Sequence, residues 1–131
     1  MMGFAWGVSA QATASVDPAE VQKATDEQVA LYKLDANQTQ KMYTIQERRL
    51  RNLKEIEALK EQNYDLYLAK RKALRTGTEG SIKRLLTPEQ RPILDAQLAE
   101  RRRQEGEKIQ ALRASGASKE EIQRAILEMG S

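Results

Sequence analysis

Apolar side chains recur along this chain at helical spacing, in runs that open on capping residues. Val21, Ala24, Val29 and Leu31 form a loose stripe after Asp17-Pro18-Ala19-Glu20. Asp17 suits an N-cap, Pro18 the first helical position and Glu20 the third, so a helix is expected from Pro18 to about Lys33. Leu34 then leads into Asp35-Ala36-Asn37-Gln38. Here Asp35 can cap a second helix while Gln38 reaches back to it, an Asp form of the capping box. No Gly or Pro occurs from Ala36 to Arg75. As one straight helix, residues 36–74 would span about 58 Å. A ball of this chain's size is only about 35 Å across. The long helix therefore bends, or the protein is elongated.

Two seams mark that helix. One passes through Tyr43, Leu50, Leu53, Tyr64, Tyr67 and Leu74; the other, one residue earlier, through Met42, Ile45, Ile56, Leu59 and Leu66. Together they are wider than a two-stranded coiled coil needs. Arg49, Asn52 and Asn63 interrupt the second. Breadth favours a helix packed between two neighbours; the alternative leaves a mixed apolar and cationic seam open to a partner.

Thr76 to Gly80 (TGTEG) is the clearest break, with Gly77 suited to end the long helix and Ser81 to Leu86 forming a short turn. Leu86-Thr87-Pro88-Glu89-Gln90 follows. Thr87 as N-cap, Pro88 at the first position and Gln90 at the third make a full capping box. The helix it opens should run to about Ala114 on Ile93, Leu94, Leu98, Ile109 and Leu112, divided by Arg101-Arg102-Arg103 and Gly106. Ser115-Gly116 ends it. Ser118-Lys119-Glu120-Glu121 is a further capping box, for a helix carrying Ile122, Ala125, Ile126 and Met129. That helix packs back or lies free as a tail.

Composition narrows the chemistry. The 131 residues include 22 Lys+Arg and 19 Asp+Glu, a net charge of +3, with neither Cys nor His. The absent types remove disulfides, thiol nucleophiles, zinc ribbons and the commonest general base. No Gly-rich phosphate loop or nucleophile–base pair appears, so the chain is not expected to be an enzyme, and no metal or cofactor is expected. Charge is uneven: residues 13–35 carry −3, residues 36–86 carry +6 and residues 87–131 are neutral. Arg48, Arg49, Arg51 and Lys54 form one basic cluster; Lys70, Arg71, Lys72 and Arg75 form another. Interleaved acids and the lack of an aromatic platform beside the arginines weigh against nucleic acid.

Residues 1–12 (MMGFAWGVSAQA) are apolar, small and uncharged, and end on Ala10-Gln11-Ala12, an A-x-A site. This segment is expected to be the end of a cleavable secretory signal. No Lys or Arg precedes it, so its start is expected upstream of Met1. No stretch approaches the roughly 20 apolar residues of a membrane span. Cleavage after Ala12 leaves residues 13–131, from which the chain's Phe and Trp are gone. That aliphatic core is thin and invites a partner surface.

Two segments share the form Leu, cap, two residues, Gln: Leu34 to Gln38 and Leu86 to Gln90, 52 residues apart. A secreted helical chain with this pair around a long charged helix resembles the Spy/CpxP family, which is defined by an LTxxQ repeat. Leu86-Thr87-Pro88-Glu89-Gln90 matches that form fully; Asp35 stands where the first motif would have Thr. The resemblance covers about residues 18–114, within a helical domain expected over 13–114, and leaves residues 115–131 outside it. It implies an all-α fold: a long helical hairpin with short flanking helices, dimerising antiparallel into a thin cradle. It implies a periplasmic, ATP-independent chaperone that holds unfolded or partly folded proteins on cationic and apolar residues. The alternative is a helical adaptor docking on an envelope stress sensor. The zinc-binding branch relies on His and does not carry over. The expected client contacts are Arg48, Arg49 and Leu53, with Met42, Ile45 and Ile56 on the neighbouring seam.

Overall fold

In the computed structural model, which describes residues 15–130, Asp17, Asp35 and Ser118 each cap a helix as read above; Thr87 does not, because the helix after it begins only at Arg91. Helix α1 spans Pro18–Tyr32, α2 Ala36–Glu57, α3 Leu59–Gln62, α4 Tyr64–Leu85, α5 Arg91–Ala114 and α6 Lys119–Met129. The described residues form an all-α fold without strands. Asp17 accepts from the Ala19 N–H, and both bonds of the capping box form at Asp35–Gln38 and at Ser118–Glu121. Thr87 and Gln90 also bond reciprocally: Thr87 N–H to Gln90 Oε1 at 2.9 Å, Gln90 N–H to Thr87 Oγ1 at 3.3 Å. One turn over Pro88–Gln90 separates this box from the regular helix, which starts at Arg91. Helix α5 ends as expected at Ser115-Gly116. Gly116 takes φ 85°, and the Ala117 N–H returns to Leu112 O at 3.0 Å, closing a Schellman turn.

The long helix departs from expectation. It does not run unbroken from 36 to 74. The chain folds back over Ala58–Asn63, and α2 lies antiparallel against α4 as the most closely packed helix pair. Asn63 makes the corner. Its backbone leaves the helical region (φ −156°, ψ 89°), and its side chain accepts from the Leu66 N–H at 3.1 Å to cap α4. The bend, not the elongated alternative, is what the chain adopts. Folding back covers Met42, Ile45 and Tyr67 of the two seams, which one straight helix would leave in water, but leaves Leu66 exposed.

The break expected at Thr76–Gly80 is absent, and α4 continues through Gly77 and Gly80 to Leu85. Ser81 to Leu86 is therefore not a separate turn. A helix-interior glycine costs about 1 kcal/mol against alanine, less than packing α4 along α2 returns. Gly77 has a negative φ, and an added Cβ would meet nothing within 4 Å. Gly77→Ala is thus expected to raise stability by about 0.5–1 kcal/mol in urea unfolding. A loss of stability would restore Gly77 to a helix-ending role. Arg101-Arg102-Arg103 and Gly106 likewise leave α5 undivided.

The core lies where α1, α2, α4 and α5 converge. It joins Tyr32, Leu34, Met42, Ile45, Ile82, Leu86 and Leu94, with Leu85, Ile93 and Leu98 against it. Leu34 and Leu86, the leading residues of the two motifs, both belong to it. Between them the motif glutamines meet. Gln38 Nε2 donates to Gln90 Oε1 at 2.7 Å, and Gln90 Nε2 lies 3.2 Å from Gln38 Oε1. Gln38 also donates to Leu85 O, and Gln90 to Tyr32 O and Lys33 O. Each motif glutamine thus serves free carbonyls where the helix before the other motif ends. Tyr32 Oη donates to Gln97 at 2.8 Å, and Arg101 bridges Glu79 at 2.6 Å, fixing α5 over α1 and α4.

Helix α6 packs back against α4 and α5. Arg124 bonds Asp65, Tyr64 donates to Glu128, and Arg75 donates to Gly130 O, all at 2.6 Å. No helix among the described residues is long and apolar enough to cross a membrane. The expected signal segment, residues 1–12, lies outside the described residues.

Candidate functional site

The hairpin of α2 and α4 carries half of the chain's 22 Lys and Arg residues, and its two helices do not close on each other completely. Near the motif end, Arg48 Nη2 donates to Ser81 Oγ at 3.1 Å across the pair. From there toward the corner, an open groove of about 760 Å³ runs between them. Ile56, Leu59 and Leu74 supply its apolar surface; Arg48, Lys70, Asn52 and one acid, Glu55, supply its polar rim. Gly77 lines the same groove without a side chain, so the α4 backbone is approachable there. Arg48 and Lys70 are exposed, whereas Ile56, Leu59 and Leu74 are half-buried. The arrangement offers apolar area at the base and exposed cations at the edge. It has the chemistry to hold an apolar segment that carries acidic residues.

A second groove, of about 580 Å³, shares Leu74 and Thr78 with the first. Arg49, Leu53, Lys60, Tyr67, Arg71 and Arg75 line it. Burial pulls the Arg49 guanidinium below its ordinary range, with Glu27 of α1 opposing that pull. Its Nε donates to Gln46 Oε1 at 2.8 Å. Gln46 is buried and is in turn bonded to Met42 Sδ at 3.4 Å. These bonds tie the groove wall to the core.

The six expected contact residues therefore separate into three places. Arg48 and Ile56 share the first groove. Arg49 and Leu53 line the second. Met42 and Ile45 lie in the core at 0% and 8% exposure, and present no surface to a partner in this conformation. Before the corner, the seam holding Met42 and Ile45 lies in the core with Tyr32 of α1, Ile82 of α4 and Leu94 of α5. Past the corner it turns outward, leaving Leu66 40% exposed.

Several lining residues were not singled out as contacts, among them Lys60, Tyr67, Lys70, Arg71 and Arg75. They come opposite α2 only because the chain folds back at Asn63. The available signal was Asn63 itself, with Asp65 two residues on: an N-cap residue followed by an acid suited to a helix N-terminus. The motif residues Leu34, Asp35, Gln38, Leu86, Thr87, Pro88 and Gln90 lie together at the far end of the hairpin, as a joint and not as a ligand site. No protein-family model, no curated protein and no solved structure matches the chain.

Proposed function

We propose that this chain is an ATP-independent chaperone of the Spy/CpxP type. It works in the periplasm after loss of its leader, holding non-native proteins and limiting their aggregation under envelope stress. The observation that carries the reading is the first groove, where Ile56, Leu59 and Leu74 lie between Arg48 and Lys70. The paired Leu-cap-x-x-Gln motifs and the +6 charge of residues 36–86 support it. Unfolded chains expose apolar side chains beside charge. Cations at the rim speed their arrival through long-range attraction, and the apolar base retains them by excluding water. Release needs no nucleotide, because a client that folds buries the surface by which it was held. An antiparallel homodimer would align two such hairpins into one cradle and double the apolar area offered to a client.

Arg48→Glu combined with Lys70→Glu is the matching test. Both side chains are exposed, so the helical circular dichroism signal should persist. Stopped-flow capture of an acidic unfolded client should slow about ten-fold at low salt. The difference should vanish near 0.5 M salt, where the Debye length falls to about 4 Å. Equal capture rates at low salt would move the binding face elsewhere.

A further inference from the structure

Helix α6 is held to the fold by little. None of its residues from Lys119 to Met129 is buried, although Ile122, Ile126 and Met129 share one face. That face is half-buried where α6 meets α4 and α5. A gap of about 570 Å³ remains between α6 and α4, with Asp65, Leu68, Glu121 and Leu127 in its lining. The polar ties across it are exposed: Arg124 to Asp65, and Tyr64 to Glu128. Ion pairs in such a wet setting contribute little. A helix of 11 residues is marginal on its own in water, so α6 depends on these contacts to stay formed.

One contact is more specific. Arg75 Nη1 donates to Gly130 O at 2.6 Å, and Gly130 is buried. A Cβ at Gly130 would overlap the Arg75 guanidinium, so this seat admits glycine alone. The docking also has a cost. Arg71 Nη2 and Arg75 Nε are shut off from solvent and have no hydrogen-bond partner among the described residues. A guanidinium cannot shed its proton, so these donors regain partners only when water reaches them. Leu68 is buried yet stands outside the core cluster. The residues around it in the gap, Asp65 apart, belong to α6.

We propose that α6 is a strap that opens about residues 115–118 while the core of α1, α2, α4 and α5 stays folded. Closed, it covers Leu68 and seats Gly130 on Arg75. Open, it adds Leu68 to the apolar surface of the hairpin and lets water reach Arg71 and Arg75. The core can stand without it, because no member of the core cluster lies in α6. Opening of this kind, short of global unfolding, is drawn from segments with few buried contacts. As a brake on client capture this rests on the chaperone reading; as an opening strap it does not.

The test uses the full chain, which has no Cys of its own. Leu68→Cys places one thiol under the strap; Leu94→Cys, in a separate variant, places one in the core. Gly130→Val, whose side chain has no room beside Arg75, is then added to each. Labelling by a thiol-reactive dye should become at least ten-fold faster at position 68 and stay unchanged at position 94. Deuterium exchange over residues 119–130 should quicken as well, while the amides of α2 keep their protection. Equal labelling at position 68 with and without Gly130→Val overturns the strap. So does the same acceleration at both positions, since α6 would then open only with the whole fold. No client is present, so either result is independent of whether the chain protects clients.

Discussion

Replacing Met42 by alanine is expected to cost about 2–5 kcal/mol of folding stability, the range for a fully buried Met or Leu truncation. Met42 is 0% exposed and belongs to the cluster formed with Tyr32, Leu34, Ile82, Leu86 and Leu94. Four helices contribute to that cluster, so no single one can move in to fill the space. The substitution also removes the sulfur that Gln46 Nε2 contacts, leaving a buried amide short of a partner. Urea unfolding should show a lower midpoint with an unchanged slope. Client capture by the fraction that stays folded should match wild type. A surface contact would behave oppositely, with stability kept and capture reduced; that result would return Met42 to the binding face.

The second large effect belongs to the glutamine pair. Gln90→Ala removes donors from Tyr32 O, Lys33 O and Gln38, and an acceptor from the Thr87 N–H. Gln38→Ala removes a donor from Leu85 O and an acceptor from the Asp35 N–H. At roughly 1 kcal/mol for each net hydrogen bond, with an added penalty for buried groups left unpaired, each change should cost about 2–3 kcal/mol. The side chains also bond to each other, so the double variant should cost less than the two single costs combined. A coupling of about 1 kcal/mol is expected from a double-mutant cycle in urea. Strictly additive losses would mean the two motifs cap their helices independently and do not join the halves of the fold.

Helix starts were legible because capping is local. Asp17, Asp35 and Ser118 each declare themselves within four residues of sequence and cap their helices, whereas Thr87 closes a turn with Gln90 and the helix begins at Arg91. The corner at Ala58–Asn63 was not legible, because two glycines downstream gave a stronger local signal. Packing of α2 on α4 overrides their low helix propensity, while Asn63, capping Leu66, supplies the real boundary. That error carried into the site. Along an unbroken helix, Met42, Ile45, Ile56 and Leu59 form one seam. Once the chain folds back, the first two face the core and the last two face an open groove. The likeness between the motifs was visible as a repeat, but nothing within either segment shows that Gln38 and Gln90, 52 residues apart, would touch.

The central claim is that the hairpin grooves hold many unrelated non-native chains. Light scattering during refolding of three unrelated, chemically denatured clients, with residues 13–131 added in several-fold excess and no nucleotide, tests it most directly. The account predicts suppressed aggregation for all three, unchanged by ATP. No protection for any of them, with tight binding to a single folded sensor domain instead, would contradict it and establish an adaptor.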